Sequence, residues 1–203
     1  EVHRSLPQRE LPMVGAWCFL DRFGPQVAKM RVEPHPHIGL QTVTWLLSGE
    51  ILHRDSLGFT QPIRPGEVNW MTAGRGITHS ERFEGLRANG GVMLGMQAWV
   101  ALPTEHEEDE PAFAHHGMGD LPTYDSGNGL WARLIAGAAF GAEARVKTHS
   151  PMFYVHWEFK AGAEAALEAN YPERAAYVVR GRVEVDGTEL AEGRMAVFAP
   201  GDV

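Results

Sequence analysis

Glycine and proline punctuation constrains this chain most. Twenty-three glycines and 13 prolines fall between short runs rich in Val, Ile, Thr, Trp and Phe. Runs of that composition bounded by turn residues read as strands, and long helical periodicity is scarce, so an all-β fold is expected. Thr42 to Leu47 places Val43, Trp45 and Leu47 on one face, Ser48-Gly49 supplies a turn, and Glu50 to Arg54 reads as the returning strand of a hairpin. Pro65-Gly66 introduces a strand from Val68 to Met71. Gly74-Arg75-Gly76 has no GK[ST] after it, so it reads as a tight turn rather than a phosphate loop, leading into a strand from Ile77 to Arg82.

The punctuation also repeats. Aligning Gly49 with Gly181 sets Thr42 to Leu47 against Arg174 to Val179, and aligning Gly66 with Gly193 then pairs Gly74 with Gly201. Two copies of one barrel module fit this spacing. The expected division is a first domain over 1–103, a connector over 104–124, and a second domain over 125–203. The connector carries Pro111, Pro122 and an acidic run from Glu105 to Glu110, which suggests solvation. His106, His115 and His116 read there as exposed loop histidines. In the second copy, Leu167 and Ala169 stand where the first has His35 and His37, so that copy is expected to hold no metal. The counterparts of His79 and Glu81 would fall beyond Val203, so the second barrel is expected to be incomplete at its C-terminal end.

Composition narrows the function classes. The 203 residues are 44% hydrophobic and 22% charged, the balance of an ordinary globular protein. No apolar run approaches the length of a membrane span, and the first residues do not resemble a signal peptide. A cytoplasmic location is the expectation, and the single Cys18 fits a reducing compartment. A net charge of −8 without a dense basic stripe opposes direct binding to nucleic acid. No G-x-S-x-G is present and Cys18 has no activating motif beside it, so nucleophilic hydrolysis has little support.

Two pairs carry the chemistry. His35-Pro36-His37 spaces two imidazoles by two residues, which puts both on one face of an extended strand. His79-Ser80-Glu81 repeats the spacing with an imidazole and a carboxylate. On strands facing across a small barrel, the four groups would surround one ion, and imidazole with carboxylate suits iron, nickel, manganese, copper or zinc better than calcium or magnesium. A six-coordinate ion would keep two positions for a substrate and dioxygen. His53 is a further candidate, but Arg54 and Asp55 beside it suggest the polar rim. Trp70, Gln97 and Trp99 are candidates for a pocket in which an aromatic wall and an amide orient a flat substrate.

At these residues the chain resembles the pirin family, a branch of the bicupins. The stretch PHPHIGLQTVTWLLSGEILHRDSLG, then PGEVNWMTAGRGITHSE, is similar to the family's signature region, and MVGAWCFLDRFGP, GMQAWVALP and YVVRGRVEVDG extend the likeness. The resemblance implies two tandem cupin barrels of the double-stranded β-helix, jelly-roll type. It implies His35, His37, His79 and Glu81 as ligands of one metal, most often Fe(II), and Glu81 as both ligand and catalytic base. It implies a dioxygenase that uses O2 on a small aromatic substrate, a flavonol such as quercetin. Some members instead act as redox-sensitive iron-binding co-regulators of transcription that meet a protein partner. Gln41 departs from the usual glutamate at its position, which leaves Glu81 as the sole anionic ligand.

Overall fold

A computed structural model describes residues 2–27, 32–83, 85, 90–167 and 169–200. Strands β1 (Val2–Leu6), β2 (Trp17–Val27), β4 (Leu40–Ser48), β7 (Val68–Thr72), β9 (Val92–Ala101) and β10 (Ala112–His116) form a six-stranded sheet in the order β1-β2-β9-β4-β7-β10. A four-stranded sheet of β3 (Val32–His37), β5 (Ile51–Asp55), β6 (Thr60–Ile63) and β8 (Ile77–Arg82), in the order β3-β8-β5-β6, makes the other wall of the first barrel.

Alternation assigns each side chain to a face. On the six-stranded sheet, Val43, Trp45, Val68, Trp70, Met96, Ala98 and Val100 point away from the barrel. They form one buried cluster with Leu121, Ile135, Ala136, Val146 and Met152 of the second half. Each such large apolar side chain contributes about 1.5–3 kcal/mol on leaving water, so the two halves share one core. The opposite face looks into the barrel, where Phe23, Leu46 and Met93 meet Ile51, Ile63 and Phe83.

The segment from Thr42 to Arg54 is not a hairpin. Strand β4 pairs with β7 and β9, whereas β5 pairs with β6 and β8. Gly49, at φ 94°, turns a corner from one sheet to the other, a backbone state that glycine adopts without steric cost. The connector region is structured as well: β10 lies within it and extends the first sheet past β7.

In the second half, β12 (Leu130–Ala139) is paired by β11 (Thr123–Asp125), β13 (Ala142–Glu143) and β14 (Phe153–Phe159). Beyond it β15 (Arg174–Tyr177) pairs with β18 (Met195–Phe198), and β16 (Arg182–Val185) with β17 (Thr188–Ala191). The glycine alignment reproduces the register of the first barrel. Thr42↔Met71 and Trp45↔Val68 recur as Arg174↔Phe198 and Tyr177↔Met195. Ile51↔Ile63 recurs as Val183↔Leu190. Gly181, at φ 78°, stands at the same corner as Gly49. Gly201 lies outside the described residues. Among the described residues no helix is long and apolar enough to cross a membrane.

Candidate metal centre

His35 and His37 sit on β3, and His79 on the neighbouring β8. These strands are hydrogen-bonded partners with His35 directly opposite His79, so the imidazoles converge from adjacent strands of one wall, not from strands facing across the barrel. Neighbouring strands set opposed side chains about 5 Å apart, which is metal-chelating distance. One ring nitrogen from each of the three histidines lies within 4.8 Å of the others. His37 Nε2 and His79 Nε2 approach to 3.2 Å, and the ring centroids are 4.5 to 5.1 Å apart.

Outer groups set the tautomers. His35 Nδ1 lies 2.9 Å from the Glu33 carbonyl, to which it donates, leaving Nε2 with the lone pair. His53 Nε2 lies 2.8 Å from Asp55 Oδ2, and His53 Nδ1 lies 3.4 Å from His79 Nδ1. With His53 donating to the carboxylate, its Nδ1 can only accept, so His79 donates from Nδ1 and presents a bare Nε2 toward His37. A carboxylate-backed imidazole of this kind is the usual support of a metal-ligating histidine. His53 is thus not on a polar rim: it is 5% exposed and stacks on Phe113 of β10 at 4.3 Å. The signal for it was a third pair at two-residue spacing, His53 and Asp55 on β5.

Electrostatics suit the same task. Burial, then His35, holds His37 down at about 4. Burial, then His35, His53 and His37, holds His79 at about 3. Both are therefore neutral lone-pair donors at pH 7. His79 Nε2 is bare, and the neutral His37 Nε2 at 3.2 Å either donates to it or, in the other tautomer, offers a second lone pair beside it, so three imidazoles gathered in one place are a donor set that fits a divalent metal. Glu81 follows His79 on the same face of β8 but is not among the groups within 4.8 Å. Burial pushes its carboxyl up to about 7, opposed by its attraction to His35.

The pocket candidates separate. Trp99 faces the barrel interior, edge-on to His37 at 5.1 Å and stacked on Phe19 at 4.0 Å. Gln97 shares that face and accepts a hydrogen bond from Thr44 at 2.9 Å. Trp70 is in the opposite position: it belongs to the cluster between the two halves, edge-on to Trp17, on the side of the sheet away from the histidines. Gln41 is buried and donates to Thr72 at 2.8 Å. A cavity of about 220 Å³ bordered by Pro34, Arg54, Asp55, Ser56, Thr78 and Ser80 also reaches His79.

A two-sheet barrel with a cluster of imidazoles on one wall, followed by strands repeating its register, defines a bicupin. The chain belongs to the pirin family, whose model matches residues 1–100. A pirin-like protein of Caulobacter vibrioides is 62% identical over all of this chain and 72% of its own length. A Pseudomonas aeruginosa protein provisionally named a quercetin 2,3-dioxygenase is 41% identical over 98% of this chain and 63% of its own. The crystal structure of a quercetin 2,3-dioxygenase from Acinetobacter baumannii superimposes with a TM-score of 0.89 at 36% identity, covering 98% of this chain and 67% of that one. This chain thus spans roughly two thirds of the length of these relatives.

Proposed function

We propose that the chain is a metal-dependent dioxygenase that opens flavonols such as quercetin with O2, using Fe(II) held by His35, His37, His79 and Glu81. The convergence of three imidazoles, two of them held neutral by burial, beside the aromatic wall of Trp99 and Phe19 carries this reading. Likeness to a quercetin 2,3-dioxygenase structure supports it. When bound, the ion would supply a redox-capable Lewis acid at which a substrate oxygen and dioxygen meet.

The chain's own residues do the rest. Trp99 offers a flat face against which an aromatic ring system packs. Gln97 supplies an amide beside it. Glu81 takes the proton of the flavonol hydroxyl: burial favours its neutral form, so the proton finds a stable place there. Holding the ion and accepting the proton would both call on this carboxyl.

Oxygen uptake by Fe(II)-loaded protein against a panel of flavonols tests the proposal. Flavonol loss matched by O2 consumption is expected, with Glu81→Ala lowering the rate by roughly 10²-fold or more. Metal-loaded protein that consumes neither O2 nor any flavonol overturns it.

A further inference from the structure

A second cluster of ligand-type side chains lies away from the barrel centre, where the loop after β9 meets the segment between β13 and β14. His106 ends a 3-10 turn over Thr104–His106, and its Nδ1 lies 2.8 Å from Asp109 Oδ2. The His149 ring approaches that of His106 to 4.7 Å at 58°. One ligand atom from each of the three lies within 4.8 Å of the others. We propose that His106, Asp109 and His149 form a second metal site, taking a divalent ion of the zinc class and tying the two segments together.

Three observations carry it. First, His149 Nδ1 is buried without a hydrogen-bond partner, a costly state for an imidazole nitrogen unless a ligand takes its place. Second, the 2.8 Å contact of His106 Nδ1 with Asp109 Oδ2 fixes that imidazole and leaves its Nε2 as the lone-pair nitrogen. Third, the loop is already in position. Arg75 N–H donates to the Asp109 carbonyl at 3.0 Å, and Arg75 bridges to Glu110 at 2.7 Å. Two imidazoles and a carboxylate match zinc, cobalt or nickel better than calcium, and three protein ligands leave a fourth position for water. His106 is therefore not a free loop histidine. The site stands apart from whatever the barrel centre catalyses.

Metal-stripped protein equilibrated with Zn²⁺ and desalted reports the stoichiometry. Two ions per chain are expected for the wild type and one for H106A/H149A, whose half-exposed positions spare the core. One ion is expected for H37A/H79A. A readout independent of that variant is hydrogen exchange: Zn²⁺ protects residues 102–111 and 144–152 in the wild type, and His149→Ala abolishes this protection while weakening second-site affinity by at least about 100-fold. H106A/H149A that takes as many ions as the wild type, or protection that survives His149→Ala, overturns the proposal, whereas a wild type whose single ion is lost in H106A/H149A counts against the barrel centre alone.

Discussion

Asp55 lies outside the imidazole cluster, yet it decides which nitrogen of His79 is bare. Its Oδ1 accepts the backbone N–H groups of Leu57 and Phe59 at 2.9 and 3.0 Å, so its Oδ2 is the atom left for His53. In Asp55→Asn the loop keeps Oδ1, and the amide NH2 then faces His53 Nε2. His53 must shift its proton to Nδ1, His79 loses its acceptor there, and its own proton moves to Nε2. Metal affinity should fall by about 10–100-fold with the fold intact, as measured by chelator competition; unchanged affinity would remove the relay from the account. The convergence of His35, His37 and His79 was legible in the sequence because two-residue spacing and residue type are both local. The roles of Trp70 and Trp99 were not. Both faces of the six-stranded sheet are buried, one in the barrel and one in the core between the halves, so alternation identifies a side but not which side holds the site.

Strands were readable as strands, but their partners were not. Val43, Trp45 and Leu47 announced β4 by alternation, while its neighbours β7 and β9 begin at Val68 and Val92, far along the chain. A nearby glycine therefore suggested a hairpin where the chain turns a corner. The spacing echo fared better, because equal glycine intervals encode equal turn geometry and hence the same register in β15 to β18. Gly74 shows how much one turn can carry. It sits at φ +50° between β7 and β8, and a Cβ there would lie 2.0 Å from the Asp109 carbonyl oxygen. Gly74→Ala combines backbone strain with a clash against main chain that Arg75 also holds. A loss of roughly 2–4 kcal/mol is expected in urea unfolding. Wild-type stability in this variant would mean that the loop from Glu105 to Glu110 docks loosely.

For the molecule as a whole, a buried cluster of imidazoles able to hold a cation costs stability when no cation is bound and acid is added. His37 and His79 titrate near 4 and 3 when folded and near 6.5 in an unfolded chain. Between those values the unfolded state binds more protons, so their contribution is present in full above about pH 6.5 and is lost as pH falls through that window. Glu81 acts in the opposite sense. Its carboxyl is raised to about 7, so the folded state binds the extra proton between its unfolded value near 4.3 and pH 7, and acid favours folding there. Two imidazoles outweigh one carboxyl, and burial also lowers His53 and His156, which adds to the imidazole side. Metal-free protein should therefore lose on the order of 3 kcal/mol between pH 6.5 and 4. Urea unfolding across that range measures the slope, and two variants dissect it. His37→Gln removes a group that must charge on unfolding and should flatten the curve. Glu81→Gln removes the opposing group and should steepen it. Parallel curves for all three proteins would show that these side chains are solvated in the metal-free state, and the imidazole set would then need a bound ion to assemble.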